Sequence, residues 1–164
     1  MNKINELINK MIDYYSGNPR RIQHFLKVYE FAKLIGEREL NDSKLLDILE
    51  IASIVHDIGI KAAEEKYGDC KGKHQEEEGP VIARKMLSKL NFEQNKIERV
   101  CFLIGHHHTY TNIEGMDYQI LVEADFLVNF YEDNTSEEDI KSVYEKIFKT
   151  KAGRKICSKI YNVS

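Results

Sequence analysis

The sequence contains six histidines, and their placement matters more than their number. Steps of four, seven and eleven residues from His24 reach Val28, Phe31 and Ile35, so His24 lies on an apolar helical stripe. Asp125 behaves alike, with Tyr118, Leu121, Val122 and Val128 as its helical neighbours. His56 ends the line Leu45, Leu49, Ala52 and is followed at once by Asp57, while His107 extends the line Val100, Leu103, Ile104. A lone core histidine is ordinarily just hydrogen-bonded. A core carboxylate needs a partner, because burying an unpaired charge is costly. Four helical segments each aim a His or Asp inward, and no Lys or Arg shares those faces. One divalent cation would satisfy them together, since neutral imidazole and carboxylate suit Zn, Fe, Mn or Ni, and helix-bundle cores are a common place for such sites.

The elements that must position these groups read as helices almost throughout. The spacing predicts helices over residues 2–16, from Asn18-Pro19 to Ile35 with Gly36 as the stop, and from Ser43 to Ile58. The third is apolar nearly all round, which marks a central buried helix. A short helix at Lys61–Lys66 and a polar loop at Gly68–Lys73 follow. Further helices are expected from His74 or Pro80 to Leu90, from Glu93 to His107, and over Asp117–Tyr131, with a loop at Thr109–Met116. Glu137–Phe148 and Lys151–Tyr161 close the chain. With no repeat or linker, the expectation is one all-α domain spanning 1–164, a bundle of seven to nine helices.

Composition narrows the function classes. Lysine and arginine number 24 against 27 acids, a net charge of −3, which disfavours a nucleic-acid clamp with a concentrated basic face. Cys70, Cys101 and Cys157 are odd in number and lack C-x-x-C spacing, so they read as free thiols of a reducing compartment. No apolar run approaches a membrane span, and no signal-like segment opens the chain. A soluble cytoplasmic protein is expected.

The order His24, His56-Asp57, Asp125, each in an apolar helical context, resembles the HD superfamily of metal-dependent phosphohydrolases. The run His56-Asp57-Ile58-Gly59 matches its HDIG form. The likeness covers about residues 20–132, with the C-terminal helices at about 136–162 packing on that core. It implies an all-helical HD-domain fold, with His24, His56, Asp57 and Asp125 as ligands of a first metal. The stretch from His74 to Gly79 resembles the step that serves a second metal in two-metal branches, and His106-His107-His108 resembles their histidine pair. On that likeness His74, His106 and His107 are second-metal candidates, with His107 first, His106 next and His108 outside. The chain departs from the HD-GYP branch by having Glu114-Gly115-Met116 after the histidines, and its Lys61 stands one place later than in HDIGK.

The resemblance implies one or two divalent ions (Fe, Mn, Ni, Co, Zn or Mg) and a phosphorylated small-molecule substrate, expected to be a nucleotide. Metal-activated water would attack a phosphate ester or anhydride, with Asp57 or Asp125 orienting it or taking its proton. Lys61 is the first choice for a phosphate contact, and Lys73, Arg20 and Arg21 follow. Two other classes are weighed against this one: a non-catalytic metal or nucleotide sensor, and a di-iron oxygenase of HD type. Gly59 is expected to end the buried helix and turn the chain from the metal.

Overall fold

A computed structural model describes residues 1–164. Nine helices and no strands make up the chain: α1 Lys3–Tyr14, α2 Pro19–Glu39, α3 Ser43–Val55, α4 Ile60–Tyr67, α5 Gly72–Lys89, α6 Gln94–Ile104, α7 Met116–Glu132, α8 Glu137–Lys146 and α9 Lys151–Tyr161. Local chemistry fixes most starts. Asn18 accepts from the Arg21 amide with Pro19 at the first helical position, and Ser136 accepts from the Asp139 amide. Asp42 and Thr150 cap α3 and α9 in the same way.

The two most apolar helices, α3 and α7, form the centre, and α2 packs along both. Helix α6 lies against α3, α5 against α6, and α4 against α5. The C-terminal α9 docks on α2 and α7. Glu123 of α7, fully buried, fastens the chain before α9 by accepting from the Lys149 and Thr150 amides and the Thr150 hydroxyl. No helix is long and apolar enough to cross a membrane. All three cysteines are free.

Several boundaries differ from the sequence expectation, each for a packing reason. Helix α2 runs through Gly36 to Glu39, because that glycine is where α3 presses in: a Cβ there would stand 2.8 Å from a Leu46 methyl. Pro80 lies inside α5 and does not open it. Helices α3 and α6 end at Val55 and Ile104, sooner than the apolar period suggests. His56-Asp57 and His106–His108 therefore sit in turns just past helix ends. Gly59 is the N-cap of α4 with φ of −77°, a conformation open to any residue, so its glycine is not required by a left-handed turn.

Candidate metal centre

Helices α2, α3, α6 and α7 bring one side-chain cluster together from four directions. His24 comes from the second turn of α2, His56 and Asp57 from the turn after α3, His107 from the turn after α6, and Asp125 from the middle of α7. All five are buried. His24 Nε2 lies 3.1 Å from His56 Nε2, 3.1 Å from Asp57 Oδ2 and 3.3 Å from Asp125 Oδ1. His56 Nε2 lies 3.4 Å from each of the same two carboxylate oxygens. His24, His56 and Asp57 thus offer donor atoms within 4.8 Å of one another.

The opposite nitrogen of each ring is already committed. His24 Nδ1 bonds Glu132 Oε1 at 2.5 Å, His56 Nδ1 bonds the Ser53 carbonyl at 2.7 Å, and His107 Nδ1 bonds the Ile104 carbonyl at 2.7 Å. Carbonyls and carboxylates only accept, so each Nδ1 carries the proton. In the neutral rings the Nε2 lone pairs are then left facing the centre. Metal-binding histidines are oriented in this way. Asp125 Oδ1 completes the test: it is buried and is the chain's lone side-chain polar atom there without a hydrogen-bond partner. Two nitrogen lone pairs 3.1 Å apart beside an orphaned carboxylate oxygen fit a cation better than they fit one another.

Burial alone would lower the His24 pKa, but Asp125 and Asp57 outweigh it and raise the group to about 9. His56 is likewise raised despite burial, by Asp57 and Asp125. Burial would raise the Asp57 and Asp125 carboxyls, yet the adjoining imidazoles hold both well below the usual range.

Asp57 faces two ways. Its Oδ2 points to His24 and His56, and its Oδ1 lies 3.3 Å from His107 Nε2. Asp57, His107 and His108 form a second group of donors within 4.8 Å of one another. His108 is held by Gln75, whose Oε1 lies 2.8 Å from His108 Nε2 while its amide nitrogen donates to the Cys70 carbonyl. Burial and the neighbouring His107 push His108 down to about 4, which keeps the ring neutral.

This arrangement corrects the expected order of the histidine run. His106 points outward, exposed, stacked on Phe102 at 4.3 Å and bonded to the Phe102 carbonyl, while His108 turns inward. The helical period stops at Ile104, where the chain becomes a turn. Tyr118 fixes that turn, its hydroxyl lying against the His106 and Thr109 carbonyls. His74 also stands apart from both donor groups. It stacks on Tyr67 at 3.9 Å and binds Asp69 at 2.6 Å.

The basic candidates lie outside the cluster. Lys61 is exposed, with its ammonium 5.3 Å from the Tyr14 ring centre. Lys61 and Arg21 line one groove of about 180 Å³ together with Tyr15, whose hydroxyl donates to the Asp57 carbonyl at 2.6 Å. Arg20 reaches Asp133 at 3.5 Å, and Lys73 is exposed at the start of α5.

Three contributors escaped the sequence reading: Glu132, Gln75 and His108. Glu132 follows Asp125 by seven residues on α7 and so shares its stripe, the one signal that could have singled it out. Its other oxygen pairs with Lys27 at 2.7 Å. Glu132→Gln should weaken metal binding by about 10–100-fold while leaving the helical content unchanged. Titration of the purified variant with Mn²⁺ or Co²⁺ measures this, and wild-type affinity would show that His24 needs no such anchor.

A family model described as HD domain matches residues 21–155. Among solved structures, the chain is similar to the crystal structure of a predicted HD superfamily hydrolase from an uncultured Thermotogales bacterium. That likeness has a TM-score of 0.70 and 26% identity, and covers 96% of this chain and 84% of the other. No curated protein matches the chain.

Proposed function

Because the chain belongs to the HD domain family, we propose that it is a metal-dependent phosphohydrolase acting on a phosphate ester or anhydride of a nucleotide or related small metabolite. One observation carries this reading: two imidazole nitrogens and two carboxylates converge in a buried cluster whose Asp125 Oδ1 has no hydrogen-bond partner. His24, His56, Asp57 and Asp125 would hold the first ion. Asp57, His107 and His108 would hold a second, Asp57 being common to the two donor groups. When bound, a divalent cation supplies Lewis acidity for phosphoryl oxygens and acidifies water at neutral pH.

The protein's own groups do the rest. Glu132, Ser53 and Ile104 keep the three rings in the orientation that presents Nε2. Tyr15 holds the Asp57 main chain, so the carboxylate needs little reorganisation. Arg21 and Lys61, which share the groove beside Tyr15 with Glu64, would add electrostatic stabilisation to a phosphate lying there. Lys61→Ala should raise KM for a nucleotide substrate about tenfold and leave bound metal unchanged. A steady-state comparison with metal analysis checks both halves. An unchanged KM would remove Lys61 from the phosphate site.

Protons and metal compete for His24 and His56, and the direction follows from their raised pKa values. Metal affinity should climb as pH rises from 6.5 to about 9, about tenfold per unit for each proton displaced. Without metal, the stability that His24 contributes is complete below 6.5 and fades as pH rises through about 9. The two carboxylates contribute above the ordinary aspartate value of 3.8, and that part is lost as pH falls through their lowered values. Metal titrations and thermal melts across this range test both statements; a metal affinity flat with pH would contradict them.

The test of function is turnover of a nucleotide and phosphodiester panel by protein reconstituted with Mn, Co, Ni, Fe, Zn or Mg. Hydrolysis that requires the metal supports the proposal. Tight metal binding with no turnover on the panel would leave a binding module in its place.

A further inference from the structure

We infer that Gln75 is a positioning residue for the second donor group, and that it sets His108 to bind metal through Nδ1, the opposite nitrogen from that offered by His24, His56 and His107. The Gln75 amide has one orientation open to it. Its nitrogen lies against the Cys70 carbonyl, which accepts and cannot donate, so the NH₂ end is fixed there and Oε1 faces His108. At 2.8 Å from that oxygen, His108 Nε2 must supply the hydrogen. A neutral imidazole carries one ring proton, so the lone pair of His108 resides on Nδ1.

Packing gives the same answer independently. A Cβ on Gly72, at the start of α5, would stand 2.8 Å from His108 Cβ, 3.0 Å from Cγ and 3.3 Å from Cδ2. The ring therefore lays its Cδ2–Nε2 edge along α5, against Gly72 and Gln75, and turns its Nδ1 edge from that helix. His107 is arranged the other way, with Nδ1 on the Ile104 carbonyl and Nε2 at 3.3 Å from Asp57 Oδ1. Two histidines adjacent in sequence, their ring centres 3.9 Å apart, thus carry opposite tautomers. In the tautomer that Gln75 selects, Asp57, His107 and His108 each have an unprotonated donor. In the other, His108 would bring a proton on Nδ1 in place of a lone pair. Gln75 thereby favours uptake of a second ion, an inference that rests on the two-ion reading of the centre.

Nitrogen NMR of the histidine rings in the metal-free full chain reads the tautomer without turnover and without an ion. The His108 signals, assigned by their loss in His108→Asn, should show a protonated Nε2 and an unprotonated Nδ1. Added Zn²⁺ should shift the Nδ1 resonance and leave the Nε2 proton in place. Gln75→Leu, close in size but without an acceptor, should lose the fixed tautomer and bind the second Zn²⁺ about 10–100-fold more weakly, with the first ion and the helical spectrum unchanged. Gln75→Glu keeps an acceptor and should keep the tautomer, which separates hydrogen bonding from mere packing. A protonated Nδ1 on wild-type His108 overturns the inference, and that spectrum decides even if a variant fails to fold. Wild-type affinity for both ions in Gln75→Leu overturns it as well. Uptake of a single Zn²⁺ by the wild type would overturn the two-ion reading and with it the ligand role of His108, and the tautomer, read separately, shows which of the two statements failed.

Discussion

Asp57→Asn should yield a folded protein with at least a thousandfold less hydrolysis and with metal content reduced at both donor groups. Asp57 is the one residue common to the two sets, facing His24 and His56 through one oxygen and His107 through the other. The amide keeps the volume and removes the charge. His24 and His56 then lose a neighbour that holds their pKa values up, and any bound cation loses a ligand and a full negative charge. Because the side chain is nearly isosteric, the helical spectrum should persist, which separates a lost site from a lost fold. Metal analysis of the purified variant, beside turnover on the best substrate, decides the matter. Wild-type turnover in Asp57→Asn would exclude this cluster as the seat of hydrolysis.

Much of this centre was legible in the sequence for one physical reason. An apolar stripe of period 3.6 shows which face of a helix is buried, so a His or Asp on that stripe declares itself. His24 and Asp125 are legible in this way, each well inside its helix. The logic weakens where the helix stops. His106, His107 and His108 lie beyond Ile104, where a turn replaces the 100° step and the two inward rings are neighbours in sequence. The sequence points to His107 and ranks His106 ahead of His108, whereas the turn brings His108 inward and leaves His106 exposed. Glu132 was hidden for another reason. An acid in a last helical turn ordinarily faces water, and only the approach of α2 turns this one toward His24. Contacts between distant helices, such as Gln75 with His108, leave no local pattern to read.

Gly59 carries the same lesson into stability, and Gly59→Ala should be the most damaging small substitution in the HDIG run. Its backbone angles suit alanine, with φ −77° and ψ −13°. The obstacle is α5. A Cβ on residue 59 would stand 2.5 Å from the Gln75 carbonyl oxygen, 2.7 Å from the Gly79 nitrogen and 2.9 Å from the Gly79 Cα. All three are backbone atoms, which cannot rotate aside as a side chain can, so α4 and α5 must separate. Forcing a packed interface apart costs about 3 kcal/mol or more, roughly 10 °C in Tm for a chain of this size. Gly79, across the same contact, should behave oppositely. A Cβ there meets nothing closer than 3.7 Å, and alanine favours the helix interior by up to ~1 kcal/mol. Gly79→Ala is therefore expected to be neutral or mildly stabilising. Because Gln75 also holds His108, Gly59→Ala should weaken the second donor group more than the first. Chemical denaturation of the two variants, with metal titration of whatever folds, tests the contrast. Equal stabilities would mean that the α4–α5 contact yields easily and that the glycine of the HDIG run is there for some other reason.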